Sequence, residues 1–221
     1  LKLEVLIKDG AQVKHGDIAF YVEGSSRSIL SGERLVLNFM QRMSGIATKT
    51  NELAKLIAHL PTQLLDTRKT TPGIRLMEKW AVQIGGGNNH RYALYDMIMI
   101  KDNHVDYAGG IKESILGTND YLQKNNLDLK IEVETRNLDE VKAVLAVGGV
   151  DRIMLDNFSP DQIREALKII DTSKYQTEAS GGITGDTILS YAETGVDFIS
   201  SGALTHSYQS LDLSLKASFN Y

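Results

Sequence analysis

The sequence contains no cysteine, which excludes a disulfide framework and any thiolate-bound zinc or iron–sulfur centre. It has no apolar run beyond a few residues, far short of the roughly 20 that an α-helical membrane span needs. No secretory pattern opens it, and a cytoplasmic enzyme is the expectation. A net positive charge is also missing. The formal charge is -4 over 221 residues, which disfavours general nucleic-acid binding. The first residue is Leu1 rather than Met, and strand-like sequence begins at once. This reads as a chain whose N-terminal part is missing.

What is present is 42% hydrophobic residues, enough for one large and one small domain. The charge is uneven. Between Asp66 and Lys101 the bases are Arg68, Lys69, Arg75, Lys79, Arg91 and Lys101, against Asp66, Glu78 and Asp96. A local basic excess in an acidic protein suits a small, highly anionic ligand. Composition alone favours the plainer reading of a solvated basic surface.

Residues 1–30 read as short strands, with turn signals at Asp9-Gly10 and His15-Gly16-Asp17. The run DGAQVKHGDIAFYVEG resembles a biotinyl or lipoyl carrier half-barrel. It lacks the exposed Met-Lys-Met lysine of a carrier, so that function is excluded. A long helix is expected from Ser31, as its cap, to about Leu60. Leu35, Phe39, Arg42 and Ile46 stand at helical spacing along it. Gly45 inside it points to a packing contact.

Beyond Pro61 the pattern becomes strand, loop and helix in repetition. Strands are expected at Gln63–Leu65, Met97–Ile100, Leu129–Val133, Arg152–Leu155, Gln176–Ala179 and Phe198–Ile199. Helices are expected at Leu138–Val147, Pro160–Ile170 and Gly185–Thr194. This spacing implies parallel strands in a closed or nearly closed α/β barrel.

The strand ends carry the chemistry. In order they lead to Asp66-Thr67-Arg68-Lys69, Lys101-Asp102-Asn103-His104, Glu132 and Glu134, Asp156-Asn157, Ser180-Gly181-Gly182, and Ser200-Ser201-Gly202. Barrel active sites lie at the C-terminal strand ends, and the last loops commonly bind phosphate. Turns alone do not require arginine, lysine and two carboxylates. Gly85-Gly86-Gly87-Asn88-Asn89-His90-Arg91 lacks dinucleotide-fingerprint spacing. It reads as a flexible loop delivering His90 and Arg91 to a ligand. Glu134 and Asp156 suit Mg2+ or a cationic sugar centre. A glycosidase uses paired carboxylates too, but it has no need of so many bases.

The run LLDTRKTTPGIRLMEKWAVQIGGGNNHRYALYDMIMIKDNH resembles the central signature of the quinolinate phosphoribosyltransferases. ERLVLNFMQRMSGIAT, IEVET, IMLDN, EASGGIT and TGVDFISSGALTHS resemble the other family blocks, in order. The resemblance implies an incomplete, seven-stranded α/β barrel joined to a small N-terminal α/β sandwich. Residues 1–60 would be a partial sandwich with its long helix, 61–207 the barrel, and 208–221 a segment returning to the sandwich. It implies transfer of phosphoribose from PRPP to quinolinate, with loss of pyrophosphate and CO2, to give nicotinate mononucleotide.

By the same resemblance, Arg42 would be inserted into a partner subunit's site, in a homodimer or an assembly of dimers. Thr67, Arg68, Lys69, His90, Arg91 and Lys101 would form the basic pocket. Glu134 and Asp156 would face the ribose and Mg2+, directly or through PRPP. Ser180, Gly181 and Gly202 would bind the 5′-phosphate, with His206 close by. Lys69, Lys101, Glu134 and Asp156 form the expected catalytic set. The family's N-terminal acidic block is absent here, and Ser201 stands where an apolar residue is more usual. A molybdenum-transport protein shares the fold. Other readings are a phosphoribosyltransferase for another base acid and a non-catalytic binding protein.

Overall fold

The computed structural model describes residues 1–218. Strands β1 (Lys2–Val5) and β2 (Phe20–Glu23) pair antiparallel in a small sheet. Helix α1 then runs from Ser26 to Ile57. Its buried residues Leu37, Gly45, Ile46, Thr50, Leu53 and Ile57 lie along a single stripe, with Ile46, Thr50, Leu53 and Ile57 three or four apart.

Two expectations for this helix fail. It begins five residues before Ser31, whose hydroxyl donates to the Arg27 carbonyl at 2.7 Å instead of capping. Leu35 is exposed rather than part of the core stripe. Gly45 is a packing contact: a Cβ there would overlap the Gln209 carbonyl. Residues 208–218 form no element and pass alongside α1, where Gln41 Nε2 donates to the Leu213 carbonyl at 2.9 Å. The remainder of 208–221 lies outside the described residues.

The main sheet holds β3 (Gln63–Leu65), β4 (Ile98–Ile100), β5 (Ile131–Thr135), β6 (Arg152–Asp156), β7 (Gln176–Ser180) and β8 (Phe198–Ser200). They run in the order β3-β8-β7-β6-β5-β4, all parallel. A single bridge between Leu65 and Asn88 adds a seventh stave one residue long. The far edge is β4, so the barrel stays open. All six strands fall on the expected runs, with β5 set two residues further along than Leu129–Val133.

Connections are made by α2 (Arg75–Ile84), α3 (Asp102–Ala108), α4 (Ile111–Lys124), α5 (Leu138–Val147), α6 (Pro160–Ile169), α7 (Ile188–Ala192) and α8 (Ala203–His206). Helix α6 opens on a Ser159/Gln162 capping box with Pro160 at its first turn. Helix α5 opens on Asn137, whose side chain accepts the Asp139 and Glu140 N–H groups. These caps fix where each helix leaves its strand. One core joins Ile46, Leu53 and Ile57 of α1 to the strands and crossovers. The second half of α1 therefore packs as a barrel helix.

Candidate active site

Parallel register places the strand ends on one rim. Asp156 stands directly opposite Ser180, and Leu65 opposite Ser200. Thr67, Arg68 and Lys69 follow β3, Lys101 follows β4, and Gly202 follows β8.

Around that rim the sequence-selected residues form four groups. First, Lys69 and His206 meet over Gly202, where a Cβ would lie 2.9 Å from His206 Nε2 and 3.0 Å from Lys69 Cδ. Both line a polar cleft of about 380 Å3 with Arg42, Thr71, Thr205 and Tyr208. Second, Lys101 Nζ is 3.0 Å from Glu134 Oε2. Asp156 stands near enough that, after burial, the Glu134 charge is the chief cause holding its carboxyl above the ordinary range.

Third, Asn157 adopts φ 57 and its Nδ2 donates to Asp156 Oδ2 at 2.6 Å. Gly181, at φ 98, is required beside it. A Cβ there would overlap Asn157 Oδ1 in a conformation that side chains rarely adopt. Fourth, Arg68 and Arg91 are neighbours. Burial, then the like charge of Arg68, lowers the Arg91 guanidinium below its ordinary range. Neither has an ion-pair partner among the described residues, and Arg68 Nε is buried without a hydrogen bond.

The glycine-rich loop is not the flexible element expected. Asn88 N–H donates to the Leu64 carbonyl at 2.8 Å, and Asp66 N–H to the Asn88 carbonyl at 3.0 Å. His90 is buried rather than presented at the rim. Its Nε2 lies 3.0 Å from Glu132 Oε2 and 3.3 Å from Glu178 Oε2. Arg91 N–H donates to His90 Nδ1 at 2.6 Å, which leaves the neutral ring's proton on Nε2 towards the carboxylates. Burial opposes a second proton, but hydrogen bonds and charge from Glu132 and Glu178 prevail and raise His90 to about 9. Full protonation requires Nδ1 to release the Arg91 N–H. Burial, then the Glu178 charge, raises Glu132 above the ordinary carboxylate range.

Arg42 Nε and Nη2 donate to Glu78 Oε1 at 2.8 and 2.6 Å, Nη2 also reaches Thr71 Oγ1, and the guanidinium lies 5.1 Å from the Tyr208 ring centre. Within the chain these contacts hold Arg42 at the edge of the cleft that Lys69 and His206 line.

Several positioning residues escaped sequence reasoning. Lys79 is buried against Asp66 at 2.5 Å, and its Nζ also donates to the His90 carbonyl at 3.0 Å. Arg75 donates to Thr70 Oγ1 and to the Tyr92 carbonyl, bracing the first basic loop. Two of the six bases counted between Asp66 and Lys101 are therefore scaffold. The signal for Glu132 was available, because strand alternation puts it on the same face as Glu134.

Glu134 and Asp156 offer hard oxygen donors whose mutual repulsion a dication would relieve. Lys101 already neutralises one of them. The pair fits Mg2+ carried on a phosphorylated substrate better than an all-protein cage. His90, Glu132 and Glu178 are close enough together to hold an ion. There, however, Arg152 Nη1 at 3.0 Å from Glu178 supplies the positive charge.

Comparison with known proteins is consistent with this rim. The profile described as "Quinolinate phosphoribosyl transferase, C-terminal domain" matches residues 46–216, and the corresponding N-terminal profile matches 1–44. The two meet inside α1. The chain is 47% identical over 230 residues to quinolinate phosphoribosyltransferase [decarboxylating] 2, mitochondrial, of Nicotiana glauca, covering 98% of this chain and 65% of that protein. It is 44% identical to a probable nicotinate-nucleotide pyrophosphorylase [carboxylating] of Bacillus subtilis, covering 94% of this chain and 70% of that one. The solved nicotinate-nucleotide pyrophosphorylase of Francisella tularensis superposes with a TM-score of 0.89 at 44% identity, over 96% of this chain and 74% of that one. The chain thus spans about two thirds of the length of its Nicotiana relative. On the profile match and these identities, the chain belongs to the quinolinate phosphoribosyl transferase family.

Proposed function

We propose that this rim transfers phosphoribose from PRPP to quinolinate, releasing pyrophosphate and CO2 and leaving nicotinate mononucleotide, as the names of its relatives suggest. The observation that carries the reading is the Arg68–Arg91 pair. Two partly buried guanidiniums stand together, and neither has an ion-pair partner within 4 Å among the described residues. Such a pair is stable as a receptor for substrate carboxylates, which arginine grips with two parallel hydrogen bonds.

Lys69, His206 and the Ser180 and Gly202 turns bind phosphate oxygens. Lys101, Glu134 and Asp156 face the sugar carbon, where a positive centre develops as pyrophosphate departs. Mg2+, held on the pyrophosphate and reached by Glu134 and Asp156, would neutralise charge on the leaving group. The protein's own share is to bring the ring nitrogen and the sugar carbon together and so remove the entropic barrier. The ring nitrogen, positive once glycosylated, stabilises the electron pair left on the adjacent ring carbon as CO2 departs, and that carbon then takes a proton from water.

Dimer formation, with Arg42 reaching the partner's site, and a cytoplasmic setting belong to the same proposal. Incubation with quinolinate, PRPP and Mg2+ should release pyrophosphate and CO2 in equal amounts, and chelation should stop it. Pyrophosphate release with nicotinate as efficient as with quinolinate would point instead to a one-carboxylate base acid.

A further inference from the structure

Strand β7 brings a carboxylate into the barrel that the rim chemistry does not use. Glu178 lies two residues before Ser180 and is fully buried. Its Oε2 is 3.0 Å from Arg152 Nη1 on β6 and 3.3 Å from His90 Nε2. Arg152 is itself fixed, with its guanidinium 4.0 Å from the centre of the Phe198 ring on β8 and Nη2 donating to Gln176 Oε1. Glu132 completes the set, 3.0 Å from His90 Nε2 and 3.9 Å from Arg152 Nη1.

A buried ionic set of this kind is a poor source of stability. Apolar residues of similar volume often do as well or better, because desolvating the charges costs so much. What the set does provide is position. Phe198, Arg152, Glu178 and His90 each sit on a different strand or loop, and the Arg152–Glu178 hydrogen bond fixes the carboxylate beside the His90 ring. The chain ends at His90 Nδ1, which holds the Arg91 N–H at 2.6 Å. Arg91 Nη1 in turn donates to the Met97 carbonyl at 3.1 Å, so its backbone and its guanidinium are both pinned.

We propose that Glu178 is a positioning residue for Arg91. Braced by Arg152, it orients the His90 ring so that Nδ1 holds the Arg91 backbone, which sets where the guanidinium meets an acid substrate. The last step rests on the reading of Arg91 as a carboxylate grip. The first step does not.

Glu178→Gln keeps the volume and an oxygen for Arg152 but removes the Arg152-braced charge beside the ring, leaving Glu132 alone there. Amide hydrogen exchange at Arg91 should accelerate about tenfold, while amides within β5, β6 and β7 keep their rates. In steady state the KM for quinolinate should rise about tenfold, with kcat and the KM for PRPP changed less than about twofold. A purely structural role gives a different pattern: lowered melting temperature, general exchange and both substrates affected alike. That pattern, or unchanged exchange at Arg91, overturns the proposal. If Glu178→Gln does not fold, the apolar double variant Glu178→Leu with Arg152→Met keeps the barrel filled and should show the same Arg91 and quinolinate effects. Should the unaltered protein fail to use quinolinate while Glu178→Gln still frees the Arg91 amide, the substrate reading falls and the positioning role stands.

Discussion

Lys79 Nζ lies 2.5 Å from Asp66 Oδ1 with both side chains buried, and the same oxygen receives the His90 N–H at 2.7 Å. Burial is the chief cause that raises the Asp66 carboxyl and lowers the Lys79 ammonium from their ordinary ranges, against their mutual attraction. Removing one partner strands the other. Lys79→Met should cost about 3–5 kcal/mol, read from urea unfolding, whereas Lys79→Met with Asp66→Leu should recover much of it. A loss in Lys79→Met below about 1 kcal/mol would mean that water or a rearranged neighbour replaces the lysine.

Arg68→Lys tests the need for a planar fork. Charge is kept but the two parallel hydrogen bonds are lost, at about 1.5–3 kcal/mol. The KM for quinolinate should rise by a factor of roughly 10 to 100, with the KM for PRPP little changed. Pyrophosphate release across a range of quinolinate concentrations measures it, and an unchanged KM would remove Arg68 from the acid site.

Whether Arg42 works at home or across an interface is decided by mixing subunits. Arg42→Ala and Lys69→Ala chains, each inactive alone, are unfolded together and refolded. If Arg42 reached a partner's site, one site in each mixed dimer would be intact, and about a quarter of full activity would return. That recovery is expected; none at all would confine Arg42 to its own cleft, where it bonds Glu78 and Thr71.

The sequence displays the β-strands clearly because each is a short apolar run ending in polar residues, and parallel pairing aligns those ends. Helices α3 and α4 were harder to see. Gly109 and Gly110 interrupt the periodicity between them, and Lys101-Asp102-Asn103-His104 reads as a turn although α3 starts at Asp102. Ser31 misled as a cap because a serine hydroxyl can also bond the carbonyl one turn back inside a helix. The misplaced His90 has a different cause. Three consecutive glycines suggest mobility, yet its burial is set by Glu132 and Glu178, which lie 42 and 88 residues further along the chain. No local pattern reports that encounter.

Helix α1 is a continuous element of 32 residues, about 48 Å long. Its first half follows directly from the small sheet, and its middle braces the cleft through Arg42 and Glu78. Beyond that, the Asn51 side chain donates to the Gly85 carbonyl at 3.2 Å. The helix is thus a lever rather than a tether. A push on the exposed Leu30 and Leu35 end is delivered, without a hinge to absorb it, to the cleft and to the loop that carries His90 and Arg91.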